Sequence, residues 1–231
     1  MSSVGTRFRV IGEGLYGALR IGLTLLLHPL LRRSFRAAGA TPAEAARTLP
    51  GDEIVPRPGS EINVATTVQA PPERVWPWLA QLGCQRGGWY AYDLLDNGGE
   101  PSTEHILPEH QHIAVGDVVK AMPKGDFGFP VAQVEPGRFL TLAGVLDTAT
   151  GQPAGPGETP AQYFAGDQTF YLEPVSLNGA PATRMHFRMR IDWNKTRLNN
   201  VIYGWIVESI SFVMAERMAR NIRRLAERTP A

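Results

Sequence analysis

From residue 61 to 69 the less polar side chains Ile62, Val64, Thr66 and Val68 alternate with Glu61, Asn63, Thr67 and Gln69, the period of a half-buried strand. Pro71 and Pro72 end that strand, and a proline just inside a helix start costs little because its missing N–H would be unpaired there anyway. Glu73 suits the positive end of the helix dipole, and Val75, Trp78, Leu79 and Leu82 follow at helical spacing. Strands are then expected at 117–122, 127–134 and 138–144. Turn-rich Pro123, Lys124, Gly125 and Asp126, and then Glu135, Pro136 and Gly137, separate them as an antiparallel meander. The glycines and prolines of 150–160 suit a long hairpin loop, 168–173 reads as a further strand, and 176–182 turns the chain into 183–192. In that last strand Met185, Phe187, Met189 and Ile191 make one apolar face, and His186, Arg188, Arg190 and Asp192 make the other, which the alternation assigns to solvent. Residues 198–228 hold Gly204 as their only glycine and no proline, and Ile206, Ile210, Val213, Met214, Ile222 and Leu225 trace an apolar stripe for a long helix lying on the sheet.

The first third of the chain follows different rules. Residues 10–31 are mostly apolar and close to the ~20 residues a bilayer core demands. Glu13, Arg20, His28 and Pro29 interrupt them, and a charge at mid-membrane costs roughly 2.5–3.5 kcal/mol. Two readings stay open: an interfacial or spanning membrane helix with Arg32, Arg33 and Arg36 on anionic headgroups, or a helix packed on protein. A cleaved signal is disfavoured, because those arginines lie between the apolar run and any small-residue site. After it, Thr41, Pro42 and Glu44 form a capping box, and the prolines and glycines of 50–59 break regular structure. The division is thus an N-terminal apolar extension (1–38), a connector (39–60) and a main domain (61–231).

The segment APPERVWPWLAQLG (70–83), followed by RGGWYAYD (86–93), HILPEHQ (105–111) and VGDVV (115–119), resembles the START and polyketide-cyclase-like (SRPBCC) superfamily. Within it the chain is similar to a bacterial branch with a GAT…LPGDE lead-in, here Gly39 to Glu53. The resemblance implies an α+β helix-grip fold, in which a curved antiparallel sheet wraps a long C-terminal helix and leaves an apolar cavity. It implies no single activity, since such folds carry lipid, sterol and hormone binding, polyketide cyclisation and assistance to other proteins.

Composition narrows the options. With 23 basic and 22 acidic residues among 231, the formal charge of +1 supplies no field for nucleic acid. The lone Cys84 forms no internal disulfide, which fits a cytoplasmic protein, with membrane association through residues 10–31 as the open addition. No phosphate loop, dinucleotide fingerprint or nucleophile elbow is present, and no cofactor is expected. His105, Glu109, His110 and His112 invite a metal reading, but Pro108 prevents a regular helix from presenting them together, so no metal site is assigned. The Asn194-Lys195-Thr196 sequon is read as chance.

The candidate ligand-binding residues are Trp89, Tyr90 and Tyr92, after the Gly87-Gly88 turn, with Phe127, Phe129, Phe187 and Met189 on strands. Large aromatics with polar handles suit the mouth of an apolar pocket, and the same residues equally suit the closed end of a core. Asp93, His105, Glu135, His186 and Arg188 are the acid–base candidates, with Asp93 favoured as the cap of a helix beginning at Leu94. The leading expectation is a hydrophobic small molecule or lipid bound in an apolar cavity by a protein that inclines to be non-enzymatic. A cyclase or aromatase that folds a reactive chain is the alternative, and a ligand-free stress or assembly module is the third.

Overall fold

The computed structural model describes residues 3–125, 127–155, 158 and 160–228, with side chains from Gly5 onward. Its centre is a seven-stranded antiparallel sheet: β1 (Ser60–Val68), β2 (Val118–Lys120), β3 (Gly128–Glu135), β4 (Phe139–Asp147), β5 (Gln152–Pro153), β6 (Tyr163–Leu177) and β7 (Ala180–Trp193). The order is β1-β7-β6-β4-β3-β2, with the two-residue β5 alongside β4. The meander expected from the turns is present, and β6 and β7 run well beyond the 168–173 and 183–192 read from the sequence. Asp126 of one expected turn, and Pro156, Gly157 and Thr159 of the long loop, lie outside the described residues.

The helices are α1 (Ser3–Phe35), α2 (Pro42–Ala46), α3 (Pro72–Ala80), α4 (Asp93–Asp96), α5 (Arg197–Val201) and α6 (Glu208–Arg228), with a π-helical segment at Ile202–Val207 between the last two. On the inner face of the sheet, Ile62 pairs with Met189 and Val64 with Phe187, while Phe187 is also the partner of Phe170 and Met185 of Leu172. Val213, Ile222 and Leu225 of α6 are buried in the same core with Trp78 and Leu79 of α3. This is the helix-grip arrangement that the resemblance implies.

Two expectations are corrected. The face of β7 carrying His186, Arg188 and Arg190 does point away from α6, yet it is not solvated: the three are 4%, 3% and 9% exposed. The connector lies over it. Arg188 donates to the carbonyls of Arg47 (2.8 Å) and Ala45 (2.9 Å) and to Asp52 Oδ2 (2.6 Å), all in the connector, and to Asn63 Oδ1 (2.8 Å) of β1. Thr169 donates to the carbonyl of Pro50 at 3.0 Å, and at Gly51, with φ +91°, a Cβ would stand 2.6 Å from Thr141 Cγ2. The capping box that starts α2 forms as read, Thr41 Oγ1 accepting from Glu44 N–H at 3.2 Å, and the same Glu44 takes Arg184 at 2.8 Å. That guanidinium, more than any other group, holds the Glu44 carboxyl down to about 2.

The C-terminal stripe is also broken. A π turn is wider than an α turn, so each side chain after it is rotated relative to a regular helix. Ile206 and Ile210, expected to face the sheet, are 39% and 36% exposed, while Glu208 and Ser209 are turned inward and buried.

Candidate functional site

Three features define the region between α1, α6 and the open side of the sheet: an apolar cavity, a buried carboxylate that docks α1, and an unusually apolar outer surface. The cavity holds about 340 Å³. Phe129 of β3, Phe187 and Met189 of β7 and Gln168 of β6 form its floor, Met214, Ala215 and Met218 of α6 form one wall, and Trp89 and Ala91 form another. Leu95, Met122 and Ile210 also line it and are well exposed, so its mouth has an apolar rim, and Ile21 of α1 stands beside them.

Four of the aromatic and sulfur candidates therefore share one cavity: Trp89, Phe129, Phe187 and Met189. Among the described residues the wall includes none of the other three. Tyr90 has its ring edge-on to Trp78 at 5.9 Å, and its hydroxyl accepts from Gln81 Nε2 at 2.6 Å. Burial raises the Tyr90 phenol well above its ordinary value. Tyr92 is fully buried against α1, where a Cβ at Gly17 would come within 2.7 Å of its ring; Gly17 is what lets the helix approach. Phe127 is 45% exposed and packs edge-on against Phe129 at 5.5 Å.

The polar contents of the cavity were not legible beforehand. Asp96, at the last position of α4, is among its lining residues, with both carboxylate oxygens buried. Burial, then the neighbouring charge of Asp93, raises its carboxyl to about 7. The Trp89 indole N–H is also buried, and its side chain hydrogen-bonds the Cys84 sulfur. The Cys84 thiol donates to the Asp96 carbonyl at 3.2 Å. Asp93 is not the cap that was expected. Tyr92 occupies the N-cap position without a side-chain bond, Asp93 is the first residue of α4, and its Oδ1 accepts from Ser102 Oγ at 2.6 Å. No cluster of three or more metal-ligating side chains occurs among the described residues.

Helix α1 docks through one seam. Val10, Gly14, Gly17, Ile21, Thr24, His28, Leu31 and Phe35, spaced alternately by four and three, are buried or half-buried. Charged pairs extend the seam: Glu13 with Arg217 at 2.8 Å and Arg20 with Glu216 at 2.6 Å. At its end Glu208, 1% exposed, takes Ser60 Oγ–H at 2.6 Å and lies 2.7 Å from His28 Nε2 and 3.1 Å from Arg32 Nε. Phe35 is fully buried and stacks on Phe212 at 4.2 Å. The opposite side of α1 carries Phe8, Leu15, Leu19, Leu26 and Leu30, between 60% and 79% exposed. The helix is apolar on both sides: Glu13, Arg20 and His28 face protein together with Val10 and Phe35, while these large apolar side chains face outward. Helix α1 thus packs on protein along one side and presents an apolar face on the other.

No family model matches the chain, and no curated protein does. Among solved structures it is similar to protein MLL2253 from Mesorhizobium loti, at 18% identity over 74% of this chain and 99% of that one, with a TM-score of 0.36. It is similar to CalU16 from Micromonospora echinospora at 14% identity, covering 72% and 83% of the two chains with a TM-score of 0.30. The Aha1 dimer from Colwellia psychrerythraea matches at 16% identity over 69% and 95%, with a TM-score of 0.31. Likeness at this level carries nothing about family, ligand or reaction.

Proposed function

We propose that this helix-grip protein binds a hydrophobic small molecule or lipid in the cavity beneath α6, at a membrane surface against which the outer face of α1 lies. The observation that carries this reading is the apolar rim. A cavity that served only as a packing defect would be closed over, whereas this one ends at exposed Leu95, Met122 and Ile210. Ile21 of α1 stands at the same cavity, so a lipid leaving a bilayer beside α1 has an apolar path inward. Helix α1 is about 50 Å long at 1.5 Å per residue. Its seam is docked from Val10 to Phe35, and passage through hydrocarbon would strip Glu13, Arg20 and His28 of their partners on the C-terminal segment. It therefore lies along the membrane plane, as interfacial helices do, with Arg7, Arg33 and Arg36 exposed for anionic headgroups.

One observation favours the alternative of a cyclase-type enzyme. Asp96 is a titratable residue at the cavity wall, its buried carboxyl raised to about 7, the range in which a general base or acid works best at neutral pH. The binding reading needs only the cavity and its mouth and is preferred.

The test is titration of the purified protein with the neutral fluorophore N-phenyl-1-naphthylamine. Saturable binding is expected, weakened about ten-fold in Phe187→Trp because the larger ring occupies the floor. Equal binding by wild type and variant removes the ligand from this cavity.

A further inference from the structure

A second cavity, of about 330 Å³, lies between the start of α1, the segment after α4 and the later turns of α6, and it is lined by charge where the first is apolar. Arg9 of α1 and Arg217, Arg220 and Arg224 of α6 all reach it. The three on α6 are spaced by three and four residues and so share one side of the helix, where like charges repel. The helix dipole does not account for them, because it favours cations only within the last turn and α6 continues to Arg228. Arg9 and Arg224 converge on one oxygen, Glu104 Oε1, at 3.3 and 3.5 Å. Arg217 meets Glu13 at 2.8 Å and stands over the Tyr92 ring at 5.5 Å, and Arg220 is exposed with no acidic partner among the described residues. Asp93 is the third acid at the cavity, and burial raises its carboxyl above the ordinary value, toward the neutral form. Positive charge is thus in surplus. Glu104 and Glu13 are 45% and 40% exposed, and ion pairs at such exposure contribute little, so an anion that binds more strongly can displace them.

We propose that this second cavity binds a phosphate monoester, its oxygens held by the guanidiniums of Arg9, Arg220 and Arg224. The site is separate from the apolar cavity and does not depend on the ligand proposed there. A monoester carries about 1.5 to 2 negative charges near neutral pH and offers three strong acceptor oxygens, and the planar fork of an arginine engages two of them at once. A carboxylate or a diester brings a single charge, no more than Glu104 already supplies. The monoester belongs either to a soluble molecule or to a lipid headgroup, since the cavity shares α1 with the outward leucines and Phe8, beside Arg9, is 72% exposed.

Two arms test this on the full chain, each comparing a monoester with its diester. In solution, glycerol 3-phosphate and glycerophosphoglycerol are titrated by calorimetry; on bilayers, sedimentation is measured with phosphatidylcholine vesicles that carry phosphatidic acid or phosphatidylglycerol at equal negative charge. The outer face of α1 meets both vesicles alike, so a difference between them reads the cavity. The monoester is expected to bind about ten-fold or more tightly than the diester in at least one arm. A preference on vesicles alone assigns a headgroup, and a preference in solution assigns a soluble ester. The double change Arg220→Gln with Arg224→Gln should reduce the preference to within about three-fold, while Arg57→Gln with Arg138→Gln, exposed arginines outside the cavity, should keep it. Circular dichroism identifies a double variant that fails to fold, and Arg220→Gln alone then decides. Absence of a monoester preference in both arms, or its equal loss in the two double variants, overturns the proposal and leaves the arginines a general basic surface. Failure to sediment with either vesicle bears on the membrane reading, and the solution arm then decides this one.

Discussion

The indole N–H of Trp205 donates to the carbonyl of Leu25 at 2.8 Å, across the contact between the π segment and α1. The bond exists because of Pro29. A proline four residues on has no N–H to return to the Leu25 carbonyl, so that acceptor is orphaned inside a helix and an indole from the other end of the chain fills the gap. The same indole stacks on His28 at 5.2 Å with the rings 17° apart.

Trp205→Phe keeps much of the stacking and removes the donor, so it should lower stability by about 1–2 kcal/mol in urea denaturation. The partner of the cycle is Pro29→Ala, which restores an N–H to the helix. In that background Trp205→Phe is expected to cost measurably less; an equal cost would show that the indole acts only through its ring.

Glu208 is the anchor of α1. In Glu208→Gln the carboxylate shared by His28, Arg32 and Ser60 becomes a neutral amide with one acceptor oxygen, and the change should cost about 3–5 kcal/mol, the range for breaking a buried pair on one side. Undocking of α1 would free the backbone around Arg32 and Arg33, so trypsin should cleave there faster in the variant than in wild type.

Membrane docking is tested on the outer face alone. Deleting the whole helix would also strip buried Phe35 and the partners of Glu208, mixing two effects. The combined change of Leu19, Leu23, Leu26 and Leu30 to Gln touches exposed positions, each expected to alter stability by no more than about 0.5 kcal/mol. Wild type should sediment with anionic vesicles and the quadruple variant should stay in the supernatant; equal sedimentation of the two would dismiss the surface reading.

Asp167 makes stability depend on pH. It is 1% exposed with both oxygens unpartnered among the described residues, and burial, only partly offset by Arg190, raises its carboxyl to about 8 from an ordinary 3.8. A raised acid binds a proton in the folded state that the unfolded state has released. Its contribution is therefore fully present below about pH 4 and lost as pH rises to about 8. His186, lowered to about 4 by burial, works in the opposite sense between pH 6.5 and 4, so the comparison is made between wild type and Asp167→Asn, which share it. The variant should be more stable than wild type at pH 8, by an amount on the order of a few kcal/mol in urea denaturation, with the difference closing toward pH 4. A difference independent of pH would mean that Asp167 is ionised throughout.

The sequence alone determined the elements and the sides of the strands. Two-residue alternation in β1 and β7, the Pro72 start of α3, the capping box at Thr41 and the turn residues between strands are properties of a few consecutive residues, so a local reading is sufficient. The same reading grouped Phe127 and Phe129 with Phe187 and Met189 as a cavity wall; the last three meet Trp89 at one cavity, and Phe127 stays outside it. What lies over each side was decided only in three dimensions. The face with Arg188 looks solvated by alternation, yet Asp52 and the carbonyls of Ala45 and Arg47 reach it from some 140 residues away in the chain. Asp96 carries no local mark that separates it from an exposed loop acid; its burial comes from the walls around it. The leucines of α1 follow the same logic, because a period shows which residues share a side, and only the packed partner, here α6 through Glu208, decides which side is turned inward.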